Sequence, residues 1–442
     1  QWTRTESRNR DKTYNKIERD ELIEKLSALD MPAYLKAAGI ETEAAYNLRQ
    51  PDFAVKFSKI AATTHLDIWR LYLKLRLVSA AAPYLSDEFV EADFAFRQKR
   101  LQGIEQIRPR WKRAVQDADN LMGEMIGKIY VERHFQPDAK VRMDALVGNL
   151  IAAFRSGIDE LQWMSPQTRA EARNKLNKLN VKIGYPDQWT DYSDLQISEN
   201  DLYGNIDRAN RFYHARELAK LGGPVDRDEW FMSPQTVNAY YSPGMNEIVF
   251  PAAILQPPFF NVNAEDAVNY GAIGAVIGHE ISHGFDDQGR KSDGNGTLRN
   301  WWTESDNEQF TVRAKGLVEQ YNSFEALPGE FVNGEFTLGE NIGDLSGLAV
   351  AYKAYKKSLG GVDGPEIDGF SADQRFFMGW AQVWRRKYRD SELQRRLLVD
   401  SHSPSEFRVL GVLPNIEAFY QAFDVDENDQ MYLAPEKRVK IW

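Results

Sequence analysis

Residues Ala267 to Gly278 are mostly small and apolar, and they lead without a break into His279-Glu280-Ile281-Ser282-His283. No other feature constrains the fold as much. The apolar run suits a buried helix, and Gly284 follows directly after it as a stop signal. On such a helix a spacing of four puts both imidazoles on one face, able to grip one cation, while Glu280 projects beside the cation's open position. That is the geometry for a zinc-activated water with an adjacent general base.

The rest of the sequence narrows this reading. The chain has six histidines in 442 residues (His65, His134, His214, His279, His283 and His402) and no cysteine, so any metal must sit on His, Asp or Glu. Two imidazoles leave a catalytic zinc one protein ligand short. Glu340-Asn341-Ile342-Gly343-Asp344 opens a second apolar helix, Leu345 to Tyr355, and again sets two side chains four apart on one face. One of these carboxylates can therefore ligate while the other orients a ligating imidazole from behind. A third His six residues further along is excluded, because Gly289 stands there and Asp286 occupies the intermediate glycine position. No Gly-x-Ser-x-Gly elbow occurs. Asp424 to Asn428 begins like a calcium loop, but Asp429 and Pro435 stand where its turn glycine and bidentate Glu belong, leaving an acidic surface turn. A formal charge of −10 with no basic arm argues against nucleic acid, and no apolar run reaches the roughly 18 residues of a membrane span.

The length suits about three domains or two large ones. After a charge-rich lead-in over residues 1–20, helical patterning dominates 21–199, punctuated by Pro137, Pro166 and Pro186. A polar helix and linker over 200–223, ended by Gly222-Gly223-Pro224, predicts the boundary with a C-terminal domain over 224–442. The pentapeptide at Met164 recurs at Met232, but the contexts differ. Ser165 and Pro166 suit a helix start, whereas Val237 to Phe250 suits strand, turn, strand.

From about Asn238 to Trp442 the sequence resembles the neprilysin and endothelin-converting-enzyme family of zinc metallopeptidases, including its bacterial oligopeptidase members. The likeness is carried by Val237-Asn238-Ala239-Tyr240-Tyr241, by Phe250 to Phe260, by the His motif with Gly284-Phe285-Asp286-Asp287, by Glu340 to Asp344, by His402-Ser403-Pro404 and by Pro435-Glu436-Lys437. The helical half resembles the family only diffusely. The resemblance implies a mainly α protein with a small β-sheet, built as a helical cap over a thermolysin-like (gluzincin) catalytic domain. It implies one Zn²⁺ per chain on His279, His283 and Glu340, with Glu280 as base and Asp344 behind His279. Asn238 and the Ala239 backbone would bind the substrate main chain, His402 would stabilise the oxyanion and Arg408 would grip a substrate carbonyl. Ile254, Phe259, Val276 and Trp384 would line the pocket for the residue after the cut bond.

The expected activity is zinc-dependent endopeptidase cleavage of oligopeptides before hydrophobic residues. The rival readings are a catalytically silent peptide-binding homologue and a fragment that needs a missing N-terminal segment. Family members usually carry such a segment, woven through both domains, and this chain starts at Gln1 as if after it, so a separated segment is an expected partner. Val439 stands where secreted animal members have a Cys, which favours a bacterial origin. Periplasmic or extracellular location is expected on that basis, with cytoplasmic members also known.

Overall fold

The computed structural model describes residues 2–442, which form two compact units, one of residues 2–122 and 191–226, the other of 123–190 and 227–442. Helix dominates both. Among the described residues β-structure amounts to two two-stranded pairs, one three-stranded sheet and two isolated bridges, as the mainly α expectation requires. No helix of the described residues is long and apolar enough to cross a membrane.

The first unit has a small core of Ile17, Leu22, Leu26, Met31 and Leu35. Lys16–Glu18 pairs antiparallel with Ala45–Asn47, so strand interrupts a stretch whose patterning predicts helix alone. The expected polar helix is present at Leu202–Ala219, and Ala209 within it is fully buried beside Tyr192 and Leu195.

In the second unit, helices α1 (Pro137–Glu160) and α2 (Pro166–Asn177) lead into strand β1 (Asn180–Gly184). The sequence-based boundary at 200–223 groups these elements with the N-terminal half, but here they pack into the C-terminal unit. The reason is non-local. Met143, Leu150, Ala153 and Phe154 of α1 are buried in the same core as Ile277 and Leu348, and β1 pairs in parallel with β3 (Glu247–Pro251), Asn180 opposite Glu247. β3 is the central strand. On its other side lies β2 (Tyr240–Ser242), antiparallel, Tyr240 opposite Val249, with Asn246 at positive φ in the turn between them. At α2 the helix start is as expected, since Ser165 accepts a hydrogen bond from Thr168 N and Pro166 takes the first position.

A helical run continues from Asp266 to His283, with a π-helical turn at Tyr270–Gly274 before α3 (Ala275–His283). α3 crosses α5 (Leu338–Ser358), which follows α4 (Glu304–Asn322). Glycine makes the crossing close. A Cβ on Gly278 would lie 2.5 Å from Gly347 O, and one on Gly343 would lie 2.7 Å from His279 Nδ1. Around this contact Ile277 and Leu348 are fully buried, each stabilising the fold by about 1.5–3 kcal/mol. The chain then adds α6 (Ala372–Val383), α7 (Asp390–Val399) and α8 (Ser405–Leu410).

Candidate active site

The α3–α5 crossing places His279 and His283 of one helix against Glu340 and Asp344 of the other. His279 Nε2 and His283 Nε2 lie 3.3 and 3.4 Å from Glu340 Oε2. His402, from the segment before α8, brings its own Nε2 to 3.2 Å from the same oxygen. Behind each imidazole stands a carboxylate on Nδ1: Asp344 at 2.8 Å for His279, Asp286 at 2.8 Å for His283 and Asp400 at 2.9 Å for His402. Because a carboxylate accepts, Nδ1 carries the hydrogen in each ring and the Nε2 position faces inward. Glu340 Oε2 itself is buried without a hydrogen-bond partner. A buried, unsatisfied carboxylate oxygen ringed by imidazole nitrogens is a cation cradle. His279, His283 and Glu340 offer ligand atoms within 4.8 Å of one another, so the residues fit a metal ion.

A cavity of about 560 Å³ opens onto this cluster. Every residue named from the sequence lines it: Asn238, Ala239, Ile254, Phe259, Val276, His279, Glu280, His283, Glu340, Asp344, Trp384, His402 and Arg408. Three differ in setting from the sequence picture. Asn238 and Ala239 precede the sheet, whose ladder starts only at Tyr240. Arg408 is buried, not a free cation: its Nε and Nη2 donate to Asp344 Oδ2 and Oδ1 at 2.7 and 2.6 Å. Its guanidinium also sits 3.6 Å from the centroid of the Trp384 ring. Two of its three nitrogens are thereby committed to Asp344.

Sequence reasoning assigned no site role to Asp286, Asp400, Tyr388, Arg386 or Arg396. The last four line the cavity, and Tyr388 OH bonds Ser405 Oγ at 2.7 Å. For the two aspartates a signal was present. Asp286 stands three residues after His283, and Asp400 stands two residues before His402.

The charges of the cluster are interdependent. Burial and the neighbouring His283 push the His279 pKa down, but the nearby carboxylates of Asp344 and Glu340 outweigh them and the net shift is upward. His283 is held well above its ordinary value, the penalty of burial being overcome by Glu340 and Asp286. Burial alone would raise Glu340, yet the positive charges of His402 and His283 hold it well below the carboxylate range. Asp344 is likewise lowered, burial being outweighed chiefly by Arg408.

These directions give a signed expectation for the metal-free chain. Stability from the raised histidines is fully present below their ordinary value of 6.5 and is lost as pH rises through the folded values. Stability from Glu340 and Asp344 is present above their ordinary values of 4.5 and 3.8 and is lost as pH falls through the depressed ones. Melted in chelator, the protein should therefore lose stability as pH climbs from 6.5. Metal retention should instead improve with pH, because ligation displaces protons. A chelator-treated melting temperature that holds or rises above pH 6.5 would contradict this charge distribution.

Fold and site together define a metallopeptidase-type centre, with two histidines one helical turn apart, an acidic residue between them and a carboxylate from a second helix. The chain belongs to peptidase family M13, whose sequence models match residues 238–439 and residues 1–186. The second match corrects the view that the helical half is only diffusely related. Zinc metalloprotease Zmp1 of Mycobacterium tuberculosis, solved with an inhibitor, is 52% identical with a TM-score of 0.96, covering 100% of this chain and 68% of that one. PepO from Lactobacillus rhamnosis HN001 is 31% identical with a TM-score of 0.90, covering 99% of this chain and 68% of that one. Human neprilysin is 35% identical over 411 residues, which is 89% of this chain and 54% of neprilysin. Neprilysin-11 of Caenorhabditis elegans is 35% identical over 459 residues, 99% of this chain and again 54% of the relative. The chain thus spans about half the length of these two curated relatives.

Proposed function

We propose that the chain forms the catalytic part of a zinc-dependent endopeptidase that cuts oligopeptides on the amino side of hydrophobic residues. The observation that carries this reading is the convergence of three imidazole Nε2 positions on the buried, otherwise unsatisfied Glu340 Oε2. His279, His283 and Glu340 would hold the ion, which when bound brings a water's pKa to near neutrality and polarises a carbonyl.

The protein's own groups do the remaining work. Glu280 lines the cavity beside the two histidines and is the base that takes the water's proton and hands it to the leaving amine. His402 faces the same centre with Asp400 balancing its charge, and with Arg408 it stabilises negative charge developing on the carbonyl oxygen. The unpaired side of edge strand β2, preceded by Asn238 and Ala239, suits the main chain of an extended peptide. No covalent intermediate is needed.

Specificity follows from the cavity wall. Ile254 and Val276 are 3% and 8% exposed, and Phe259 and Trp384 pack against the same core. Seating a Phe or Leu side chain there stabilises binding by about 1.5–3 kcal/mol, whereas a charged side chain would be desolvated against these four largely apolar residues. Mapped cleavage of a peptide library should show cuts before Phe, Leu, Ile or Met, and Phe259→Ala should weaken such substrates about tenfold while leaving zinc content unchanged. A majority of cuts before charged residues refutes the pocket. The activity itself is tested with a quenched fluorescent peptide and metal analysis. Hydrolysis should stop with chelator and return with zinc, and chelator-resistant hydrolysis would overturn the proposal.

A further inference from the structure

On α2, far in sequence from the motif, Lys175 is 1% exposed. Its ammonium donates to three main-chain carbonyls, Gly284 O at 2.6 Å, Gly289 O at 2.8 Å and Ser292 O at 2.7 Å. The rings of Tyr241 and Phe285 stand 5.7 and 5.6 Å from it. A buried ammonium is tolerated only where its donors are met, and a compact point charge with three donors suits three convergent carbonyls better than a planar guanidinium would. All three carbonyls belong to one segment, residues 284–292, which leaves the C-terminus of α3.

That segment carries Asp286, and the bonds connect. Gly289, whose carbonyl accepts from Lys175, donates its N–H to Asp286 Oδ1 at 2.6 Å, and Gln288 N donates to the same oxygen at 2.8 Å. Asp286 Oδ2 then accepts from His283 Nδ1 at 2.8 Å. We propose that Lys175 is a positioning residue for the metal site: it clamps segment 284–292 so that Asp286 holds the His283 ring with Nε2 turned toward Glu340. The clamp joins α2 to the metal helix through main-chain atoms, so the identities of the intervening side chains matter less than the ammonium. This inference rests on the reading of His279, His283 and Glu340 as a zinc site.

The test is the zinc dissociation constant of the chelator-stripped chain, measured by competition. Carboxylates behind ligating histidines are typically worth 10–100-fold in metal affinity. Lys175→Met should weaken zinc binding by about that factor, as should Asp286→Asn. If Lys175 acts through Asp286, adding Lys175→Met to Asp286→Asn should change affinity little further. Lys175→Gln, which keeps two donors, carries the same measurement where the Met variant is insoluble, with an intermediate loss expected. Leu317→Ala, a core truncation in α4, controls for general destabilisation and should leave zinc affinity near wild type. Unchanged affinity in the Lys175 variants overturns the proposal. So does an equal loss in Leu317→Ala, or a full additional loss in the Asp286→Asn background. Failure of the wild-type chain to bind zinc would instead overturn the functional reading.

Discussion

Glu280→Gln should retain zinc at wild-type occupancy and lose at least about 10²-fold in turnover, the scale of help a positioned base gives. The two halves of that result have separate causes. Zinc retention should survive because Glu280 is not among the grouped ligand atoms, which come from His279, His283 and Glu340. Turnover should collapse because an amide cannot accept the water's proton, although it fills the same space on α3. The geometry favours a clean outcome: Glu280 is 6% exposed and lines the same cavity as His279 and His283. A variant that keeps more than about a tenth of wild-type activity removes Glu280 as the base. Parallel metal analysis guards against mistaking a lost ion for a lost proton acceptor.

The site was legible in the sequence to the extent that its parts are local. His279, Glu280 and His283 share one helical face, and Glu340 and Asp344 share another, so spacing alone proposes both pairs. What spacing cannot supply is the crossing that brings them together. That depends on Gly278, Gly343 and Gly347 allowing α3 and α5 to touch at backbone distance, and glycines in two separate helices carry no local signature of each other. Arg408 illustrates the same limit. Taken alone in sequence it is an ordinary surface cation, and only the resemblance gave it a role. In the fold it is buried against Asp344 and the Trp384 ring. Domain membership was the least legible property. The prolines mark the ends of α1 and α2 well, but which core a helix joins is decided by partners such as β3, more than sixty residues away.

Asp344→Asn should be the most damaging single substitution near the site that leaves every proposed metal ligand in place. Asp344 is fully buried and serves two partners at once, His279 Nδ1 and the Arg408 fork. Removing its charge leaves a guanidinium that is 7% exposed without a counterion, and breaking a buried pair in this way typically costs about 3–5 kcal/mol. The asparagine can still accept one bond through its oxygen, so the lower end of that range is expected. Zinc affinity should also fall about 10–100-fold, because the remaining amide orients His279 less firmly. The two effects can be separated by adding Arg408→Met. With the orphaned charge gone, part of the stability measured by denaturant unfolding should return, while zinc affinity should stay low because His279 still lacks its carboxylate. If the single variant unfolds within about 1 kcal/mol of wild type, the buried pair carries little of the fold's stability. If Arg408→Met restores zinc affinity as well, Asp344 acts on the metal site through Arg408 and not through the imidazole.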